Sequence, residues 1–262
     1  MRPPARLPYL VLSIGLAACN GPRGSTDVCS VTLSAGVDSA LDVRVGDPGM
    51  VAAFRFLVGS EPHRTGGAAL PVSVLNESLD SLVGGEAFNA LVGVVLDSSM
   101  REDRVGRDVR WHAAELLGAR AGGARALDRI AGRLGRSVVH ASIKNAADSG
   151  RRVFLLLSQL SGTAAALSRI THQARLPLAG AVQALCSLRH WTPPAGLSPP
   201  SERSLRAISP SIAANLLVAL ESLSEGWSRH ESREFIALWP SGERSELTML
   251  LEYARRVREA LP

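Results

Sequence analysis

From Val72 onward, apolar residues, mostly leucine and alanine, recur at steps of three and four along nearly the whole chain. That period matches an α-helix, so this stretch has to bury one stripe of each helix against the others. The spacing predicts helices at about 73 to 82, 86 to 98, 104 to 119, 123 to 135, 137 to 147, 150 to 172, 177 to 190, 210 to 224, 230 to 238 and 243 to 261. Val153 to Leu167 (VFLLLSQLSGTAAAL) is apolar almost all round and reads as the helix enclosed by the rest. Ser209-Pro210 reads as a cap and first-turn proline, and Ser241 as the cap of the final helix. In that last helix Leu247, Leu250, Leu251, Ala254, Val257 and Leu261 make one face, with Glu252 and Arg256 paired on the solvent side. No fixed repeat period emerges.

The remaining segments are of other kinds. Between Val28 and Gly59 the runs VCSVTL, LDVRV and MVAAFRFLV, parted by Gly46-Asp47-Pro48-Gly49, read as two or three short strands or loops packed on the body. Trp191 to Pro200 (WTPPAGLSPP) holds four prolines in ten residues and reads as an extended connector. The expected fold is therefore mainly α: a multi-helix bundle with a short β or irregular N-terminal segment at 28–71, a helical core at 72–190, the proline-rich connector at 191–200 and a C-terminal helical segment at 201–262. At 262 residues and 46% hydrophobic content, the chain has material for a sizeable core without a metal.

Residues 1–18 read as an address. Met1 to Arg6 carries two arginines and no acid, and Leu7 to Ala18 (LPYLVLSIGLAA) is a 12-residue apolar run. As a helix that run spans about 18 Å, short of the roughly 30 Å of a bilayer core. The junction Leu16-Ala17-Ala18-Cys19 resembles the lipobox of bacterial lipoproteins. That resemblance implies diacylglycerol on the Cys19 thiol, cleavage just before it, and a mature protein anchored in the cell envelope. With Asn20 rather than Asp after the cysteine, it implies an outer-membrane destination where there are two membranes. The plainer alternative is a secretory leader cut near Ala17 or Ala18. Residues 19–27 then form a tether. Cys29 and Cys186 would both face an oxidising compartment, where they can form a disulfide; the competing reading makes Cys186 a small buried apolar residue.

Charge is unevenly spread. Residues 20–103 carry 5 Arg and 11 acids, 104–175 carry 12 Arg and Lys144 against 4 acids, and 176–262 balance at 9 and 9. On the helix at 123–135, Arg125, Arg129, Arg133 and Arg136 fall within a strip of about 80° at 100° per residue, opposite Leu127, Ile130 and Leu134. A guanidinium row of this kind suits phosphate or another anion, here an anionic lipid, glycan or envelope protein. The alternative is a solvated face that balances the acidic N-terminal third. Aromatics are scarce near it, Trp111 apart, which argues against nucleic acid. The ratio of 28 Arg to 1 Lys also reflects a GC-rich coding bias.

Catalytic motifs are absent: there is no GxSxG, SxxK, Walker loop, CxxC or HExxH. His112 and Glu115 in WHAAE share a helix face, as do His230, Glu231 and Glu234 in RHESRE, but two ligands do not make a metal site. WHAAE resembles part of the GxHxxE signature of imelysin-like envelope proteins, with Arg110 where that signature has Gly. Ser142 and Lys144 point about 200° apart on a helix, a poor dyad. No cofactor and no metal are expected. The favoured reading is a lipid-anchored envelope protein that binds an envelope component or protein partner without catalysis. The alternative is an envelope hydrolase or metal-dependent enzyme assembled from distant residues such as His112, Glu115 and His230.

Overall fold

The structure, a computed structural model, describes residues 29, 44–60, 72–99, 104–144, 146–170, 178–224 and 227–260. Within them the chain forms ten α-helices and no strand: α1 (Pro48–Ser60), α2 (Val72–Val83), α3 (Ala87–Leu96), α4 (Arg104–Gly118), α5 (Gly123–Lys144), α6 (Ala146–Arg169), α7 (Ala179–Arg189), α8 (Pro199–Leu223), α9 (Arg229–Leu238) and α10 (Arg244–Glu259). The mainly α, multi-helix architecture is thus as expected. None of the described helices is long and apolar enough to cross a membrane.

The strand reading of MVAAFRFLV is corrected, because this run lies within α1, with Phe54 and Val58 buried four residues apart. Four-residue spacing serves a helix, and the Asp47 carboxylate accepts the Gly49 N–H at 2.8 Å to start it. Apart from Cys29, which is helical, VCSVTL lies outside the described residues, as does LDVRV apart from Arg44 and Val45.

α6 is the centre of the body. It packs on α4, α5 and α8, burying Val153, Leu157, Leu160, Ala164 and Leu167. Thr163 satisfies its hydroxyl on the Gln159 carbonyl at 2.9 Å, which is how a polar residue lives inside such a helix. Arg110, fully buried on α4, donates to Ser158 Oγ and to the Asp97 carbonyl, each at 3.2 Å, and so ties α4 to α6 and to the end of α3.

The expected break between two helices near residue 136 is absent, and α5 runs unbroken to Lys144. Its glycines serve a close helix crossing instead. A Cβ on Gly135 would lie 2.4 Å from Ala184 Cα, and one on Gly180 would lie 1.9 Å from the Asp128 carbonyl oxygen. α5 and α7 therefore meet backbone to backbone. A tight link precedes the crossing, where Gly122 takes φ +78°, a left-handed conformation that favours glycine.

At the same crossing Asp128 supplies what the start of α7 lacks. Leu178 offers that helix no side-chain cap, and Asp128 reaches across to accept the Ala181 N–H at 2.9 Å. Burial raises the Asp128 pKa to about 6, against the opposing pull of the Ala181 and Gly180 N–H groups and Arg129. A carboxyl whose pKa rises on folding contributes most below its ordinary value of 3.8, and that contribution is lost as pH climbs through about 6. We therefore expect Asp128→Asn, which keeps the acceptor oxygen, to gain on the parent by up to about 3 kcal/mol between pH 4 and pH 7.5. Urea unfolding of both proteins at the two pH values measures the difference and cancels the other carboxylates. Equal slopes would contradict the assignment.

Proline-rich residues 191–198 are non-helical, as expected of the connector, but α8 begins at Pro199 rather than after Ser209. The first-turn proline logic applies to Pro199 and Pro200, whereas Pro210 sits inside the helix and is buried. An interior proline removes one helical N–H and bends the rod. Helices on both sides of the connector pack together, α6 and α7 against α8.

The last helix buries Leu247 and Leu251, while Leu250, Ala254 and Val257 are partly covered. Ser241 belongs to a 3-10 turn and does not cap it. Nor does Glu252 pair with Arg256: it pairs with Arg255, whose Nε also meets Glu221 at 3.0 Å, locking α10 to α8. Burial opposes the Glu221 charge, but Arg255 holds the carboxyl below its usual range.

Candidate functional site

Two surfaces can meet a ligand. The first is the outer face of α5. Leu127, Ile130 and Leu134 are buried as the periodicity requires, and the arginines opposite them face outward. Arg125 and Arg133 are exposed and have no acidic partner among the described residues, while Arg129 is half-buried beside Asp128. Arg136 departs from the row, because its guanidinium is held by the Gln183 side-chain oxygen across the crossing with α7. Three of the four arginines make a face with a rise of about 6 Å from each to the next, and the fourth is a packing residue.

The second surface was not anticipated. A cleft of about 320 Å³ opens between α4, α6, α8 and α10. Small residues create it, since Ser161, Gly162 and Ala165 on α6 and Ser211 and Ala214 on α8 leave space where larger side chains would fill the contact. Trp111 closes one wall, and Tyr253 and Arg258 on α10 stand at another. Arg169 lies over the Trp111 ring, its guanidinium carbon 4.2 Å from the centroid, and is ion-paired with Glu115. The Trp111 indole N–H is buried without an acceptor among the described residues, which costs about 1–3 kcal/mol when nothing else meets it.

His112 and Glu115 are not among the residues lining this cleft and are engaged with each other, Nδ1 to Oε2 at 3.4 Å. Burial disfavours the Glu115 carboxylate, but His112 and Arg169 on either side hold its pKa below the usual range. His230 is exposed on α9 and sits 3.6 Å from Glu234, while Glu231 completes a capping box with Ser228. Among the described residues no three His, Cys, Asp or Glu side chains gather where a metal could be held. The structure therefore does not bring His112, Glu115 and His230 into one site. Ser142 and Lys144 lie at the end of α5, and their side chains are outside the described residues.

Cys29 and Cys186 are joined by a disulfide, both buried, with Cα atoms 5.2 Å apart and a sequence separation of 157. Cys19 and the lipobox lie outside the described residues.

Sequence reasoning missed the cleft because its walls come from four helices far apart in the chain. One trace of it is legible: Ser158, Ser161, Ala165 and Ser168 place small residues every three or four positions along α6, although Gly162, Thr163, Ala164 and Ala166 are small as well and blur the stripe. Comparison of the chain with protein-family profiles, curated proteins and solved structures finds no match.

Proposed function

We propose that this protein is a lipid-anchored component of a bacterial cell envelope that acts by binding, with the exposed Arg125, Arg129 and Arg133 face of α5 resting on anionic lipid headgroups. The observation that carries the reading is that row of guanidinium groups, two of them without an acidic partner among the described residues. Guanidinium forks onto phosphate oxygens, and each basic side chain near an anionic surface contributes about 1 kcal/mol. The lipobox-like Leu16-Ala17-Ala18-Cys19 supports the anchor. A tether over residues 19–27 reaches at most about 30 Å, so an acylated Cys19 keeps the body within touching distance of the bilayer. That proximity raises the effective concentration of headgroups around α5. The buried Cys29–Cys186 bond agrees with an oxidising compartment.

Two measurements test the proposal. Intact mass of membrane-extracted protein should show acyl mass on a chain that begins at Cys19. With acylation blocked by Cys19→Ser, binding to phosphatidylglycerol vesicles should fall steeply with salt. The triple substitution of Arg125, Arg129 and Arg133 by Ala should weaken that binding at least tenfold in a protein that still melts cooperatively. Vesicle binding indifferent to the three arginines would remove them from the interface.

A further inference from the structure

The cleft between α4, α6, α8 and α10 has no part in the α5 face, because α5 contributes no residue to it. We propose that it is a binding site for a small organic acid, an apolar or aromatic body carrying a single anionic head group that docks on Arg258.

The argument begins with the arginines. Among the described residues, several partly or fully buried guanidinium groups are held by the fold itself, Arg120 by Asp80 and Asn76, Arg169 by Glu115 and the Trp111 ring, Arg255 by Glu221 and Glu252, and half-buried Arg129 has the Asp128 charge beside it. Arg258 is the departure. It is half-buried in the cleft wall and has no acceptor among the described residues. A partly desolvated cation without a counter-charge gains most from an anion brought by a ligand.

The other walls define the rest of that ligand. Leu250, Ala254 and Val257 line the α10 side, and Ala165 and Ala214 face the space from α6 and α8. These surfaces suit a hydrocarbon or ring. Hydroxyls of Ser161 and Ser211, neither engaged with another described residue, stand on the α6 and α8 walls as orienting groups. A volume of about 320 Å³ lies at the small end of the range for ligand pockets, about 300–1,000 Å³. One unengaged guanidinium in a cleft of this size selects a monoanion. A polyphosphate would bring more charge than Arg258 can neutralise, and Arg169 is already committed to Glu115.

Two probes with the same ring system separate head group from body. 1-Anilinonaphthalene-8-sulfonate carries one sulfonate, and N-phenyl-1-naphthylamine lacks it. With the disulfide-bonded full chain, the sulfonate probe should bind at one saturable site, at least tenfold tighter than the neutral one. Arg258→Gln should weaken the sulfonate probe at least tenfold and leave the neutral probe unchanged. Ser161→Leu, which fills the cleft without altering charge, should weaken the sulfonate probe to the same degree. Both positions are partly exposed, so the variants should melt as the parent does; where one does not, Ser211→Leu replaces Ser161→Leu and Arg258→Met replaces Arg258→Gln. Less than a tenfold loss in either variant, or equal affinity for the two probes, overturns the proposal.

Discussion

Cys186→Ser lowers the unfolding free energy by up to about 5 kcal/mol, because it opens a covalent loop that spans 157 positions. In the chain-entropy account, a cross-link removes conformations from the unfolded state in proportion to the logarithm of the loop it closes, and few loops in a chain of 262 residues are longer. The melting midpoint should drop by about 10 °C or more. Cys29→Ser should cost the same, and the double variant no more than either alone, since both remove one bond. Calorimetry of the three variants beside the parent, oxidised and reduced, checks this. A reduced parent as stable as the oxidised one would show that the loop closure contributes nothing.

Gly180→Ala should be the next most damaging change, at about 3 kcal/mol or more, although it adds a single methyl group. Its Cβ would stand 1.9 Å from the Asp128 carbonyl oxygen and 2.8 Å from that carbonyl carbon, so the obstacle is backbone and no side chain can turn aside. Overpacking of this kind forces two helices apart. The same movement pulls the Ala181 N–H away from Asp128, leaving the start of α7 uncapped. Gly85→Ala is the control, because a Cβ there meets nothing within 4 Å. Comparable losses in both variants would mean that the α5 and α7 crossing is softer than its geometry implies.

The helices were legible because their stripes repeat in the chain. Val153 to Leu167 could be read as the central helix from composition alone, since only a rod touched on several sides can be apolar nearly all round. What misled was local chemistry with two uses. The helix read over 123 to 135 ends at Gly135 and Pro210 reads as the first turn of a new one, yet Gly135 provides a close approach to α7 and Pro210 is absorbed inside α8. Whether such a residue ends a helix depends on a neighbour distant in sequence. MVAAFRFLV fails for a related reason, because a short, nearly continuous apolar run carries almost no period.

The candidate sites divide the same way. The arginine row lies on one helix, so angular arithmetic places it, and only Arg136 goes astray because its partner Gln183 belongs to another helix. The cleft is a property of four helices at once. No spacing announces that Trp111, Ser161, Ser211 and Arg258 share one wall system.

The Cys29 to Cys186 bond also settles where a mechanical load would travel. A pull on the chain ahead of Cys29 passes through the sulfur bridge into α7, which is seated against α5 by the glycine crossing. α1 to α6 all lie within the loop that the bond closes, bypassed by the covalent shortcut. They are spared the sequential peeling that tugging on one end inflicts on an uncross-linked bundle. On the anchoring proposed above, the helices between the two cysteines are thereby taken out of the line of tension.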